Sequence, residues 1–119
     1  RRNPMNQLDF SVLRQTYISK GFVALRGVFD AAEIALLSAE CDRLLREDWV
    51  SPDNPRTPFR KGAVSVPERI DPVVDVSPLF ARFVADERIL NPLRAIWNQE
   101  ARLFKDKLIF KAPGVEGYA

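Results

Sequence analysis

Histidine is absent from this chain of 119 residues, and cysteine occurs once, as Cys41. Without histidine the chain cannot assemble a Ser-His-Asp or Cys-His catalytic arrangement, nor a zinc or non-haem iron site that uses imidazole ligands. A single cysteine excludes an internal disulfide and is typical of a reducing compartment, so the expected location is the cytoplasm. Catalysis of any of those kinds would need residues that this sequence does not contain.

Long apolar runs and a strong net charge are also missing. No apolar stretch approaches the roughly 20 residues of a membrane span, so no membrane insertion is expected. The net charge of +2 gives no signal for a nucleic-acid surface. The five glycines form no G-x-G-x-x-G or Walker motif, which leaves nucleotide binding without support. The length and the apolar content of 46% fit one globular domain.

Hydrophobic spacing and capping residues predict several helices and one early strand. Residues 8–20 have apolar side chains at helical spacing and end at Lys20-Gly21, while Asp30 with Glu33 resembles a capping box for a helix reaching about Arg46. Ser77-Pro78 predicts a third helix start, and Asp86 followed by Asn91-Pro92 predicts short helical turns through Trp97. The run Phe22–Arg26, between two glycines, is expected to be a strand that pairs in a sheet.

The segment from Trp49 to Pro67 contains four prolines and is predicted to be a long loop. Loops of this length are often binding segments, and this one offers aromatic and cationic groups at Trp49, Phe59, Arg60 and Lys61. A plain surface loop held in place by its two aromatic residues is an equally good interpretation.

The stretch from Leu103 to Lys111 alternates as a strand does. One face carries Leu103, Lys105, Lys107, Ile109 and Lys111, and the other carries Phe104, Asp106, Leu108 and Phe110. The apolar face is expected to pack on a core, whereas the lysines must face either water or an anionic ligand. Ala112-Pro113-Gly114 is expected to end the strand, with Gly114 free to take a positive φ.

The scattered carboxylates show no pairing of the kind that glycosidases use. Asp71, Asp75, Asp86 and Asp106 fall in a loop, a cap and a strand, and each is expected to be a helix cap or a surface ion partner.

Five segments in this order resemble the N-terminal half of the phytanoyl-CoA dioxygenase (PhyH-like) family: GFVALRGVFDAAEI, DNPRTPFR, ERIDPVVDVSPLF, PLRAIWNQEARLF and KDKLIFKAPGVEGYA. The resemblance implies an α+β fold in which N-terminal helices pack outside the first strands of a double-stranded β-helix, or jelly roll. It also implies Fe(II), 2-oxoglutarate and O2 as the reagents that oxidise a small organic molecule. Residues 1–119 would then be a single partial domain of such an oxygenase.

The resemblance also assigns residues. Arg69 matches a family position near the co-substrate, Lys107 matches a strand position lining the 2-oxoglutarate pocket, and Lys105 is a further candidate on the same face. In the family a His-x-Asp pair of iron ligands follows the segment that matches Gly117-Tyr118-Ala119, and this sequence contains no such ligand. The iron ligands and the C-terminal half of the domain are therefore expected outside these residues, in the same or a separate chain.

Two alternatives from other classes remain open. The first is a non-catalytic binding module that pairs the edge of the Leu103–Lys111 strand with another chain. The second is a nucleic-acid binder that uses the same lysines and Arg60, which the low net charge disfavours.

Overall fold

The fold combines four helices with four very short antiparallel strands, which confirms the predicted α+β class. The computed structural model describes residues 10–60 and 66–113. Within these ranges the elements are α1 (Phe10–Lys20), α2 (Ala31–Leu45), β1 (Phe59–Arg60), β2 (Val66–Pro67), β3 (Arg69–Ile70), α3 (Pro78–Val84), α4 (Glu87–Trp97) and β4 (Leu108–Ile109). None of the described helices has the length and apolar character that a membrane span needs.

Packing divides the described residues into two compact units. The first comprises residues 10–35 and 82–103, and the second comprises residues 36–60, 66–81 and 104–113. The α1–α4 pair lies in the first unit, and both strand pairs lie in the second.

Helix α1 ends where the sequence predicts. Gly21 adopts φ 81°, a left-handed conformation that favours glycine, and its N–H bonds to the Tyr17 carbonyl at 2.7 Å. The predicted apolar face is only partly right, because Leu13 is buried whereas Val12 and Ile18 are exposed. The predicted start at Leu8 lies outside the described residues.

The first unit is built on the packing of α1 against α4. Leu13 and Ile96 are buried between them, and the Tyr17 and Trp97 rings meet edge to face with centroids 5.7 Å apart. Arg14 adds a hydrogen bond from Nη1 to the Ile96 carbonyl at 2.6 Å. Apolar burial thus supplies the contact, and a charge-assisted bond satisfies one carbonyl near the α4 C-terminus.

Helix α4 runs without a break from Glu87 to Trp97, so it is longer than the turn or two that the sequence predicts after Asn91-Pro92. Asp86 is its N-cap and accepts from the Arg88 N–H at 2.8 Å, while Asn98 closes the other end at φ 53°. Pro92 lies inside the helix and is buried. The proline removes one backbone bond, but burial of this segment keeps the helix intact.

The start of α2 carries the predicted capping box. Glu33 N–H bonds to Asp30 Oδ1 at 2.8 Å, and Asp30 N–H bonds to Glu33 Oε1 at 3.3 Å. Arg88 pairs with Glu33 at 2.5 Å and with Asp86 at 2.9 Å, and its guanidinium lies 4.6 Å from the centre of the Phe29 ring. Hydrogen bonds from Arg88 hold the pKa of both carboxylates below their ordinary values.

The segment Phe22–Arg26 forms no strand, so that prediction is wrong for the described part of the chain. Val23 and Leu25 are half-buried and alternate with exposed neighbours, as an extended segment requires. Among the described residues, however, no backbone group is hydrogen-bonded to it. A strand must pair with a second segment of chain, and the apolar run by itself does not show whether such a partner is present.

In the second unit, α3 begins at the predicted Ser77-Pro78 signal. The buried Ser77 hydroxyl accepts from the Phe80 N–H at 3.2 Å and donates to Glu40 Oε2 at 2.5 Å. Glu40 also pairs with Arg43 at 2.6 Å. The Arg43 hydrogen bond, followed by that from Ser77, lowers the pKa of Glu40.

The proline-rich loop is ordered by its own side chains. Buried Thr57 donates to the Ser51 carbonyl at 3.0 Å and accepts from the Ser51 N–H at 3.1 Å, while Asn54 donates to the Trp49 carbonyl at 2.8 Å. The prediction of a loop throughout Trp49–Pro67 is nevertheless wrong at its end, because β1 and β2 lie in this range and pair through Phe59 opposite Pro67 and Arg60 opposite Val66. The predicted contact residue Lys61 lies outside the described residues.

Strand β4 is shorter than the predicted strand Leu103–Lys111, although exposure still alternates from Lys105 to Pro113. It pairs antiparallel with β3, placing Ile70 opposite Leu108. Phe104 is 92% exposed, which corrects the expectation that it packs on a core. It lies outside the paired part of the strand, where none of the described residues covers its side chain. The predicted turn at Gly114 falls outside the described residues.

The two faces of the β3–β4 ladder predict unequal effects of two isoleucine truncations. Ile70 is fully buried, so Ile70→Ala should lower the free energy of unfolding by about 2–5 kcal/mol. Ile109 is 46% exposed, so the control Ile109→Ala should cost less than about 1 kcal/mol. Denaturant unfolding measures both, and equal losses would contradict the face assignment.

The lowered pKa of Glu40 predicts an acid-sensitive contribution to stability. Because the folded-state pKa lies below the ordinary value of 4.5, this stability is present above pH 4.5 and is lost as the pH falls through the folded pKa. Unfolding measured from pH 6 downwards should therefore show a shallower acid loss in Glu40→Gln than in the wild type. Asp42→Asn, whose carboxylate makes no ion pair with a described residue, should retain the wild-type slope.

Candidate functional site

The β3–β4 ladder collects cationic residues on one face. Arg69 is opposite Ile109, and the N–H of Phe110 bonds to the Glu68 carbonyl at 2.9 Å, which extends the same register by one pair. The residues two positions before and after Ile109 therefore lie diagonally across from Arg69, at a Cα–Cα distance of roughly 7–8 Å. These residues are Lys107 and Lys111, and both are exposed. The register thus brings together Arg69 and Lys107, which the sequence assigned to one site, and adds Lys111.

Two carboxylates already surround the Arg69 guanidinium. Nη1 donates to Glu68 Oε1 at 3.1 Å, and Nε lies 3.5 Å from Asp71 Oδ2. The second contact gives attraction between charges but no hydrogen bond, so Nε is buried without a hydrogen-bond partner among the described residues. The two carboxylates therefore compensate the charge of Arg69, and its buried Nε has no hydrogen-bond partner among the described residues.

Arg60 extends the charged cluster from the neighbouring strand pair. Its Nη2 lies 3.7 Å from the Glu68 oxygen that also meets Arg69. Glu68 is mostly buried, so its carboxylate screens the two guanidinium groups from one another in a medium less polar than water. Glu68 was not among the residues predicted for this site, and its contact with Arg60 depends on the pairing of β1 with β2.

Asp106 ties β4 to the turn that follows β3. Its Oδ2 atom accepts hydrogen bonds from the N–H groups of Val73 at 2.7 Å and Val74 at 2.9 Å. The sequence predicted only a cap or a surface ion partner here. The signal that was available is its position on the apolar side of the strand alternation, where a carboxylate must find donors.

Lys105, the third residue that the sequence assigned to the site, lies on the exposed side of the alternation, one step beyond Lys107. It precedes the regular part of β4, so the ladder does not fix its distance from Arg69. Binding of 2-oxoglutarate by Arg69, Lys107 and Lys105 stays a prediction.

The described residues do not fit an iron site. They contain no group of three histidine, cysteine, aspartate or glutamate side chains that would hold a metal ion, and the sequence has no histidine. The hydrogen-bond donors on the β3–β4 face are cationic side chains, which repel a metal ion and attract carboxylates.

The first unit contains a groove of about 320 Å³. It is lined mainly by apolar side chains, with Arg88 as its charged member: Val23, Leu25, Val28, Phe29, Arg88, Ile89, Pro92, Leu93 and Ile96. Arg88 is already paired with Glu33 and Asp86, so the groove presents little unsatisfied charge to a polar ligand. The β3–β4 face is the stronger candidate.

Comparison with known proteins agrees with the resemblance noted in the sequence. The model of the phytanoyl-CoA dioxygenase (PhyH) family matches residues 17–119. Two curated relatives, the ectoine dioxygenases of Bordetella bronchiseptica and Bordetella parapertussis, are each 31% identical over 108 residues, which covers 87% of this chain and 32% of theirs. The chain thus spans about a third of the length of these relatives. No solved structure gives a significant match. Because the family model covers most of its residues, the chain belongs to the phytanoyl-CoA dioxygenase family.

Proposed function

We propose that this chain is the N-terminal part of an Fe(II)- and 2-oxoglutarate-dependent dioxygenase that oxidises a small organic molecule. Its iron ligands would come from residues outside this sequence. Family membership supports the class of reaction. The observation that supports the proposal is the β3–β4 register, in which Arg69 and Lys107 share one face of the ladder.

This chain's part in the reaction is to bind and orient the oxoacid. Arginine presents planar, paired donors that match a carboxylate, and lysine adds a compact positive charge that can approach a second oxygen. When bound, 2-oxoglutarate would supply two electrons for the activation of O2 and would leave as succinate and CO2. Arg69 and Lys107 would hold it, and Lys105 would add positive charge at the same face.

The same proposal places these residues in an incomplete jelly roll. Ladders of two residue pairs are too short to be stable alone and usually belong to larger sheets. Further strands from the C-terminal half of the domain would extend them. Residues 1–119 would then be one partial domain, as the sequence predicts.

The substrate is proposed only as a class. The names of both relatives give ectoine as the compound on which those proteins act, and the match covers 32% of their length. Ectoine is therefore the first compound to test. The alternative of a non-catalytic module that pairs its strand edge with another chain receives no specific support, since β3 already occupies one edge of β4.

The defining experiment measures oxoacid turnover by the full-length protein. With Fe(II), O2 and ectoine present, it should convert 2-oxoglutarate to succinate, and a chelator should abolish the conversion. Arg69→Ala and Lys107→Ala should each raise the KM for 2-oxoglutarate about tenfold, because a hydrogen bond to a charged group contributes roughly 1.5–3 kcal/mol. Lys20→Ala, at the end of α1, is the control and should leave the KM unchanged.

Unchanged 2-oxoglutarate affinity in both Arg69→Ala and Lys107→Ala would remove the site assignment. Absence of 2-oxoglutarate binding by the wild-type protein would remove the proposed function.

The pairing of Arg69 with Glu68 predicts that a charge-neutral variant binds the oxoacid more tightly. Glu68→Gln keeps the side-chain shape but removes the carboxylate that competes for Nη1 at 3.1 Å. The dissociation constant for 2-oxoglutarate should fall about three- to tenfold. Glu100→Gln, which alters an ion pair with Arg94 in the first unit, should not change it. Weaker binding in Glu68→Gln would mean that Glu68 orients Arg69 rather than competing with the ligand.

A further inference from the structure

Asp106 stands between two lysines of the candidate site but does not pair with them. Its hydrogen bonds go to the backbone instead, where one carboxylate oxygen accepts from two successive N–H groups, those of Val73 and Val74. Val73 is 4% exposed, so the recipient turn is part of the core of the second unit. Bonds from backbone N–H groups to a carboxylate are charge-assisted and among the stronger hydrogen bonds in proteins.

The backbone is consequently fixed on both sides of Lys107. The residue before it is fixed by the Asp106 bonds, and the residue after it, Leu108, is fixed opposite Ile70 in the ladder. Ile70 leads through Asp71 and Pro72 to Val73, so the anchor and the ladder close a short loop of chain. Lys107 lies within that loop and Arg69 directly precedes it, so the loop restricts the spacing between the two residues.

We propose that Asp106 is a positioning residue that sets Lys107 relative to Arg69 and thereby tunes the affinity of this face for a carboxylate ligand. The inference rests on the proposed function, because it concerns the same oxoacid site. Asp106 itself touches no ligand in this proposal. It acts through the backbone on either side of Lys107, which is a role distinct from the cap or surface ion partner that its sequence position suggests.

The test uses 2-oxoglutarate binding to the full-length protein, measured by titration calorimetry. Asp106→Ala removes the acceptor and should weaken binding about tenfold, whereas Asp106→Asn should stay within about threefold of the wild type. The asparagine keeps a carbonyl oxygen, and a single oxygen accepts both backbone bonds in the native protein. The matched control is Asp75→Ala, an exposed carboxylate from the same turn that pairs with Arg56 at 3.4 Å, and it should change binding less than twofold.

A double-mutant cycle separates positioning from general stability. If Asp106 acts through Lys107, the double variant Asp106→Ala/Lys107→Ala should bind 2-oxoglutarate no more than about twofold more weakly than Lys107→Ala alone. Losses that multiply to roughly a hundredfold would overturn the proposal, because they would show that the two residues act independently. Failure of Asp106→Asn to recover binding would overturn it as well.

Amide hydrogen exchange tests the Asp106 hydrogen bonds in the absence of ligand. The N–H groups of Val73 and Val74 should exchange faster in Asp106→Ala than in the wild type, and they should be unchanged in Asp75→Ala. Unaltered exchange would contradict the anchor. If the anchor is confirmed but the wild type binds no 2-oxoglutarate, the proposed function fails. If the wild type binds and the cycle is additive, only the role of Asp106 fails.

Discussion

The antiparallel pairing of β3 with β4 is the constraint on which the candidate site depends. A slip of one residue would turn every side chain of one strand to the opposite face. Such a slip would expose Ile70, whose burial contributes roughly 1.5–3 kcal/mol, and would drive Arg69 into the core. The ladder has only two regular pairs, so it needs help to hold this register. The Phe110–Glu68 backbone bond and the Asp106 anchor supply it from either side.

Charge balance on this face explains how a cluster of cations is compatible with folding. Arg69 is about a third exposed, and a partly desolvated guanidinium without counter-ions would be unfavourable. Glu68 and Asp71 compensate it in the protein alone, although exposed or half-exposed pairs of this kind contribute little net stability. The two carboxylates thus offset the charge of Arg69, while the exposed Lys107 and Lys111 leave this face with an excess of positive charge.

The sequence predicts best what depends on groups a few residues apart. The Asp30–Glu33 capping box, the Ser77-Pro78 helix start and the glycine at the end of α1 are all confirmed, since each is a contact within three or four residues. Prediction from the sequence fails where the interacting residue is far away along the chain. The strand at Arg69–Ile70 was not predicted, because it exists only through its pairing with residues almost forty positions later. For the same reason Asp106 was assigned to a cap or the surface.

For the candidate site as well, the family resemblance and the structure contribute different information. The family resemblance selects Arg69 and Lys107 by position, but it offers no physical reason for them to act together. The register supplies that reason, and it requires no metal ion, because the cations are held by backbone pairing, a buried isoleucine and one carboxylate. Neither the β3–β4 register nor the Asp106 bonds involve the converging donors that an iron site needs and that the described residues lack. The placement of these cations on one face is therefore a consequence of local pairing alone.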